Sequence, residues 1–178
     1  MKCKLKKTIF VIGFMGAGKT TLCRRLAKKC QCESLDVDIY IERMNSQKIR
    51  NIFKHVGESG FRDIETMALK KIAESDHIRF VSCGGGIVER EENIEIMKEH
   101  GVVLHLYSDA KNGESRISNK KSRPLFKDLE QAEKLFQRRL PLYEKAADLT
   151  LDTTGKSSTK VMWETFDLLK DNGLIKRV

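Results

Sequence analysis

Proline is almost missing from this chain, with two in 178 residues, and aromatic residues make up only 7% of it. Two prolines beside 12 glycines exclude a collagen-like or proline-rich disordered class. No patch alternates Lys or Arg with Phe or Tyr, which argues against a single-stranded nucleic-acid platform. No apolar run approaches the ~18–20 residues that span a bilayer, so no membrane contact is expected. The five cysteines (Cys3, Cys23, Cys30, Cys32 and Cys83) are odd in number and lack framework spacing. Cys30-Gln31-Cys32 finds no second Cys or His pair to close a zinc site. They read as small apolar residues or as surface thiols of a reducing compartment, which places the chain in the cytoplasm. Two nucleotide-hydrolase classes also lack their marks. Asn119-Lys120-Lys121-Ser122 is without the aspartate of an N-K-x-D guanine signature, and the run ending "VSCGGG" is without the terminal aspartate of an ordinary hydrolytic ATPase.

What the chain does have is positive charge and a regular alternation. Lys and Arg number 34 against 25 Asp and Glu, a formal +9 that favours anionic partners. The basic residues are interleaved with acids, so small phosphorylated or carboxylated molecules suit this charge as well as nucleic acid does. Lys2, Lys4, Lys6 and Lys7 ahead of "TIFVIGFMGAG" imitate a secretory signal. That run continues into Gly18-Lys19-Thr20 with no small-residue cleavage pattern, and reads as a buried first strand.

Short apolar runs alternate with amphipathic segments, the mark of β-α-β units and a parallel sheet. The runs are "TIFVIG", "ESLDV", "IRFVSC", "VVLHLY" and "DLTLD", which predict five strands in one α/β domain over residues 1–178. Helical spacing links Ile49, Ile52, Phe53 and Val56, then Phe61, Ile64, Ala68 and Ile72, with a break from Gly57 to Gly60. Further helices are expected around Leu129 to Phe136, bent near Pro141, and from a Ser157 or Ser158 cap to Gly173. The segment from Ser108 to Asp128 is basic and without apolar periodicity. It reads as a flap beside a site rather than a plain surface loop.

Gly13-Phe14-Met15-Gly16-Ala17-Gly18-Lys19-Thr20 satisfies G-x-x-x-x-G-K-[ST] in full, between an apolar run and an amphipathic segment. Glycines let several backbone N–H groups face one anion, and the helix opening at Lys19 adds its positive end. Lys19 is suited to reach the β- and γ-phosphates, and the Thr20 hydroxyl to ligate Mg²⁺. Such a cradle alone names a nucleoside triphosphate, not a reaction.

Leu35-Asp36-Val37-Asp38 ends the second predicted strand, expected beside the first. Aspartates at i and i+2 on an extended chain face the same side. One could hold Mg²⁺ while the other takes a proton from an attacking hydroxyl. Asp38 could equally cap the helix "IYIERM". Gly60-Phe61-Arg62 follows, with Glu65 one turn on and able to hold the Arg62 guanidinium. Gly84-Gly85-Gly86 marks either a ligand pressed against backbone or a sharp loop.

Taken together, "GFMGAGKTT", "LDVD", "GFRDIE", "GGGIV", "RPLF" and "RRLPLYEKAA", in this order and at these spacings, resemble the shikimate kinases from about Thr8 to Asp152. The resemblance implies a three-layer P-loop kinase fold around a five-stranded parallel sheet. It also implies a mobile lid at about residues 112–128 and a substrate-binding subdomain at about 38–70. It further implies ATP-dependent phosphorylation of the 3-hydroxyl of shikimate by a cytoplasmic monomer. Gly16, Ala17, Gly18, Lys19, Thr20 and Thr21 would bind ATP, with Arg116 and Lys156 on the adenine side. Thr20 and Asp36 would hold Mg²⁺. Asp38 would bind the ring hydroxyls and act as general base. Arg62 and Arg139 would clamp the carboxylate, Gly84, Gly85 and Gly86 would line the substrate, and Arg123 would meet the transferring phosphoryl group.

Overall fold

Strand β2 (Thr8–Ile12) carries the most continuous apolar run and becomes the centre of the molecule, buried along its whole length. The computed structural model describes residues 3–109 and 129–177. Helix α1 (Lys19–Cys30) follows, then β3 (Glu33–Asp36), α2 (Val37–Asn45), α3 (Ile49–Ala73) and β4 (Ile78–Ser82). A 3₁₀ turn (Ile87–Glu89), α4 (Glu91–His100) and β5 (Gly101–Tyr107) come next. After the segment left undescribed, α5 (Leu129–Ala146), β6 (Leu149–Asp152) and α6 (Ser158–Asp171) complete the layers.

Five strands pair in parallel in the order β3-β4-β2-β5-β6. The predicted runs all become strands, but β3 does not lie beside β2 as expected. Strand β4 inserts between them, and β3 takes the half-exposed edge. A second sheet pairs β1 (Cys3–Leu5) with β7 (Ile175–Arg177), antiparallel. No reading of the sequence anticipated it.

The layers follow from side-chain alternation along β2. Phe10 and Ile12 enter one apolar core, with residues of α2, α3, α4 and α5; Ile9 and Val11 enter the other, with α1 and α6. The expected break in the long helix is real, because Gly57 leaves helical geometry at φ 69° and ψ −175°. Ser157 caps α6 by accepting from Lys160 N, as its position predicts. Cys23, Cys30 and Cys83 are buried as small apolar residues, and burial pushes the Cys23 thiol far up.

Candidate functional site

Chain geometry at the end of β2 explains the glycines there. Gly13, Gly16 and Gly18 all have positive φ, and a Cβ on Gly13 would stand 2.5 Å from the Leu106 carbonyl oxygen. The loop therefore turns tightly enough to open α1 directly at Lys19, with Gly18 at the cap position and Thr20 and Thr21 in its first turn. The Lys19 ammonium donates to the carbonyl oxygens of Gly13 at 2.7 Å and Phe14 at 2.9 Å. Its charge is thus held over the loop it would share with a phosphate.

Thr20 and Asp36 come together as predicted. The Thr20 hydroxyl donates to Asp36 Oδ2 at 2.6 Å and lies 3.1 Å from the Ser82 hydroxyl. Because β4 sits between β3 and β2, Ser82 at its end is placed between the loop and the aspartate. In the sequence Ser82 carries no signal of this role, since "VSCGGG" shows only the lack of a carboxylate. A recess of about 160 Å³ adjoins these three oxygens. A hard cation such as Mg²⁺ takes one carboxylate, hydroxyls and waters beside substrate phosphates, and this oxygen set suits it.

Asp36 and Asp38 do not lie on one extended segment, as had been expected. The strand ends at Asp36 and Val37 is already helical. Asp36, rather than Asp38, caps α2, accepting from Ile39 N at 3.2 Å. The turn sends the two carboxylates different ways. Asp36 faces Thr20, whereas Asp38 Oδ1 lies 3.0 Å from where a Cβ on Gly84 would stand, with Glu65 Oε1 3.1 Å from the same point.

Arg62 and Glu65, one turn apart on α3, form a buried ion pair at 2.6 Å. Burial raises the Glu65 carboxyl above its ordinary value, and the Arg62 charge opposes it only in part. Arg62 Nε is buried and has no hydrogen-bond partner among the described residues. Gly86 exists for this side chain: a Cβ there would overlap the Arg62 guanidinium. Side chains crowd all three glycines, with an overlap at Gly86 and tight approaches at Gly84 and Gly85. Arg139, on α5, is 7% exposed, and its Nε donates to Glu89 at 2.7 Å. A Cβ on Gly85 would lie 3.3 Å from Arg139 Nη1 and 3.7 Å from the Gly13 carbonyl, so Arg139, the glycine loop and the loop after β2 meet there.

Not every predicted residue joins this group. Lys156 lies on the turn before α6, where its ammonium pairs with Glu164 at 2.6 Å. Arg116, Arg123 and the expected lid at about 112–128 lie outside the described residues.

The family model for shikimate kinase matches residues 15–170. The chain belongs to the shikimate kinase family. A shikimate kinase of Dehalococcoides mccartyi is 39% identical over 170 residues, covering 94% of this chain and 96% of that one. The solved structure of a shikimate kinase from Acinetobacter baumannii in complex with shikimate superposes with TM-score 0.88 at 33% identity, over 94% of this chain and 95% of that one. A gluconokinase from Sinorhizobium meliloti also superposes, at TM-score 0.63 over 94% of each chain. At 15% identity it shares the P-loop kinase fold alone.

Beyond the family motifs, this shikimate kinase relative buries a histidine in the sheet. His105, opposite Ile12 across β2 and β5, is 2% exposed and stacks on Tyr143 with centroids 5.1 Å apart. Burial first, then the Lys19 charge, lowers its pKa from 6.5 to about 4. The unfolded chain takes up this proton as pH falls through 6.5 and the folded chain does not, so stability drops with acidification. Going from pH 7 to 5 should cost about 2 kcal/mol through this group. Urea unfolding at both pH values checks it. His105→Phe should remove that share of the pH dependence, and an unchanged difference would rule out His105 as its source.

Proposed function

We propose that the protein transfers the γ-phosphoryl group of ATP to the 3-hydroxyl of shikimate, giving shikimate 3-phosphate and ADP. The observation that carries this reading is the convergence of Arg62, with its orphaned buried Nε, and Arg139 on one glycine loop beside the phosphate cradle. Two guanidinium forks suit a planar carboxylate better than ammonium groups would. A substrate held there lies between Asp38 and the cradle.

In this reading Gly16 to Thr21 hold the triphosphate through backbone N–H groups and the end of α1, and Lys19 leaves its carbonyl partners to meet the β- and γ-oxygens. Thr20 and Asp36, with Ser82 beside them, would hold Mg²⁺, which when bound neutralises charge on those oxygens. Asp38 accepts the hydrogen bond of the attacking hydroxyl and takes its proton as the oxygen–phosphorus bond forms and ADP departs. Arg62 and Arg139 fix the carboxylate, so that the ring presents one hydroxyl in line. Gly84 to Gly86 line the substrate. Arg123, by the family pattern, supplies positive charge to the transferring group, and Arg116 and Lys156 serve the adenine side. The same reading makes the enzyme a cytoplasmic monomer, bound neither to nucleic acid nor to a membrane. No helix among the described residues is long and apolar enough to cross one.

Coupled ADP release with Mg²⁺-ATP tests this reading, run with shikimate, gluconate, CMP or no acceptor. A rate that appears with shikimate alone is expected. Stimulation by gluconate or CMP instead would move the protein to another acceptor class within the same fold.

A further inference from the structure

Arg139 is the less securely anchored of the two clamp arginines from a sequence viewpoint, because no acid follows it at helical spacing. Arg62 has Glu65 one turn on in its own helix, whereas the acid that holds Arg139 comes from another element. Two groups surround it. Glu89, on the 3₁₀ turn directly after the glycine loop, accepts from Arg139 Nε at 2.7 Å and from Arg138 Nη2 at 2.9 Å. The Tyr143 hydroxyl, one helical turn from Arg139 on α5, donates to the Gly85 carbonyl at 2.5 Å. Arg139 Nη1 and the Tyr143 hydroxyl reach the same place, 3.3 and 3.5 Å from a Cβ built on Gly85. The Tyr143 ring is fully buried and stacks on His105, so the hydroxyl has little freedom to leave.

We propose that Tyr143, supported by Glu89, is a positioning residue of the carboxylate clamp, joining the Arg139 guanidinium to the Gly85 backbone so that both meet the substrate in one fixed geometry. This rests on the shikimate kinase reading above. With Glu89 on its Nε, Arg139 offers its Nη end to the glycine loop, where Nη1 is 3.3 Å from a Cβ built on Gly85. That leaves the guanidinium to take a carboxylate end-on. A hydroxyl that ties the loop to this end sets the distance between two groups that must grip the same ligand. Without it the loop and the arginine are free to move separately, and binding is weakened before chemistry is.

The test separates this role from a structural one. Tyr143→Phe keeps the ring and its stacking on His105 and removes a single oxygen. Loss of its neutral hydrogen bond to the Gly85 carbonyl should raise the shikimate KM by roughly three- to tenfold. The ATP KM should stay within twofold, and kcat should fall by less than the KM rises. Glu89→Gln, which leaves Tyr143 untouched, should raise the shikimate KM in the same direction and serves if the tyrosine variant does not fold. A folded Tyr143→Phe protein with an unchanged shikimate KM would overturn the proposal. So would shikimate and ATP KM values rising together in both variants, which would indicate general loosening. Wild-type protein in the same assay distinguishes the two levels: if shikimate does not stimulate it, the acceptor is misassigned.

Discussion

Asp38→Asn is expected to reduce turnover by about 10²–10⁴-fold, the range that a positioned acid or base contributes to proton transfer. The substitution keeps size and hydrogen-bonding reach and removes the negative charge that would receive the hydroxyl proton. Asp38 sits in the first turn of α2 with its carboxylate against Gly84, while Asp36 caps the helix and holds Thr20. The two carboxylates face different groups, so losing one should leave the other's contacts intact. ATP binding, followed by nucleotide titration, should therefore stay close to wild type. Near-normal turnover in the variant would sink the proton-accepting role. Loss of nucleotide binding alongside turnover would show that the two carboxylates act as one unit.

Gly86→Ala is expected to raise the shikimate KM by roughly 10–150-fold, the equivalent of one hydrogen-bonded charge contact. Gly86 has an ordinary φ of −94°, so the backbone accepts alanine. The conflict is with the Arg62 guanidinium, whose atoms would overlap the new methyl group. A guanidinium is the far end of a flexible side chain, and it can be pushed aside at modest cost to folding. What it cannot do is move and still pair with Glu65 at 2.6 Å. Arg62→Ala, which needs no steric argument, should match it in direction. If Gly86→Ala binds shikimate normally while Arg62→Ala does not, the guanidinium has another place to stand and the glycine serves something else. If both bind normally, the clamp is wrong.

These two variants also mark where the site costs the fold something. A buried Arg–Glu pair gains little net stability once both charges are desolvated, and burial leaves Glu65 easier to protonate than a surface carboxylate. A core built only for stability would place apolar residues there. The orphaned Arg62 Nε and the neutral, buried His105 belong to the same region, at the carboxyl ends of the central strands where open parallel sheets bind ligands.

Local patterns were enough for the strands, the broken helix and the phosphate cradle. Five short apolar runs bounded by polar segments read as strands, although β3 and β6 at the sheet edges are only partly buried. Gly57 interrupts a helical pattern because only its backbone readily adopts φ 69°. The cradle motif is contiguous, so its chemistry can be read from eight adjacent letters. The Arg62–Glu65 ion pair was also legible, because its spacing falls within a single helical turn.

Tertiary structure alone decided what depends on which strand lies next to which. The order β3-β4-β2 puts β4 between two strands consecutive in the chain, and this makes Ser82 the neighbour of Thr20 and Asp36. No spacing within the sequence encodes that contact, which links residues 62 positions apart. Glu89 and Arg139 meet across 50 positions, and Tyr143 and Gly85 across 58. The β1–β7 pair escaped notice for a related reason: Cys3–Leu5 and Ile175–Arg177 are three-residue strands too short for any period to show. The turn at Val37 likewise overrode the extended reading of Leu35 to Asp38. A short polar side chain before an apolar helix is a cap as readily as a ligand, and packing of Val37 and Ile41 into the core settled which aspartate took that place.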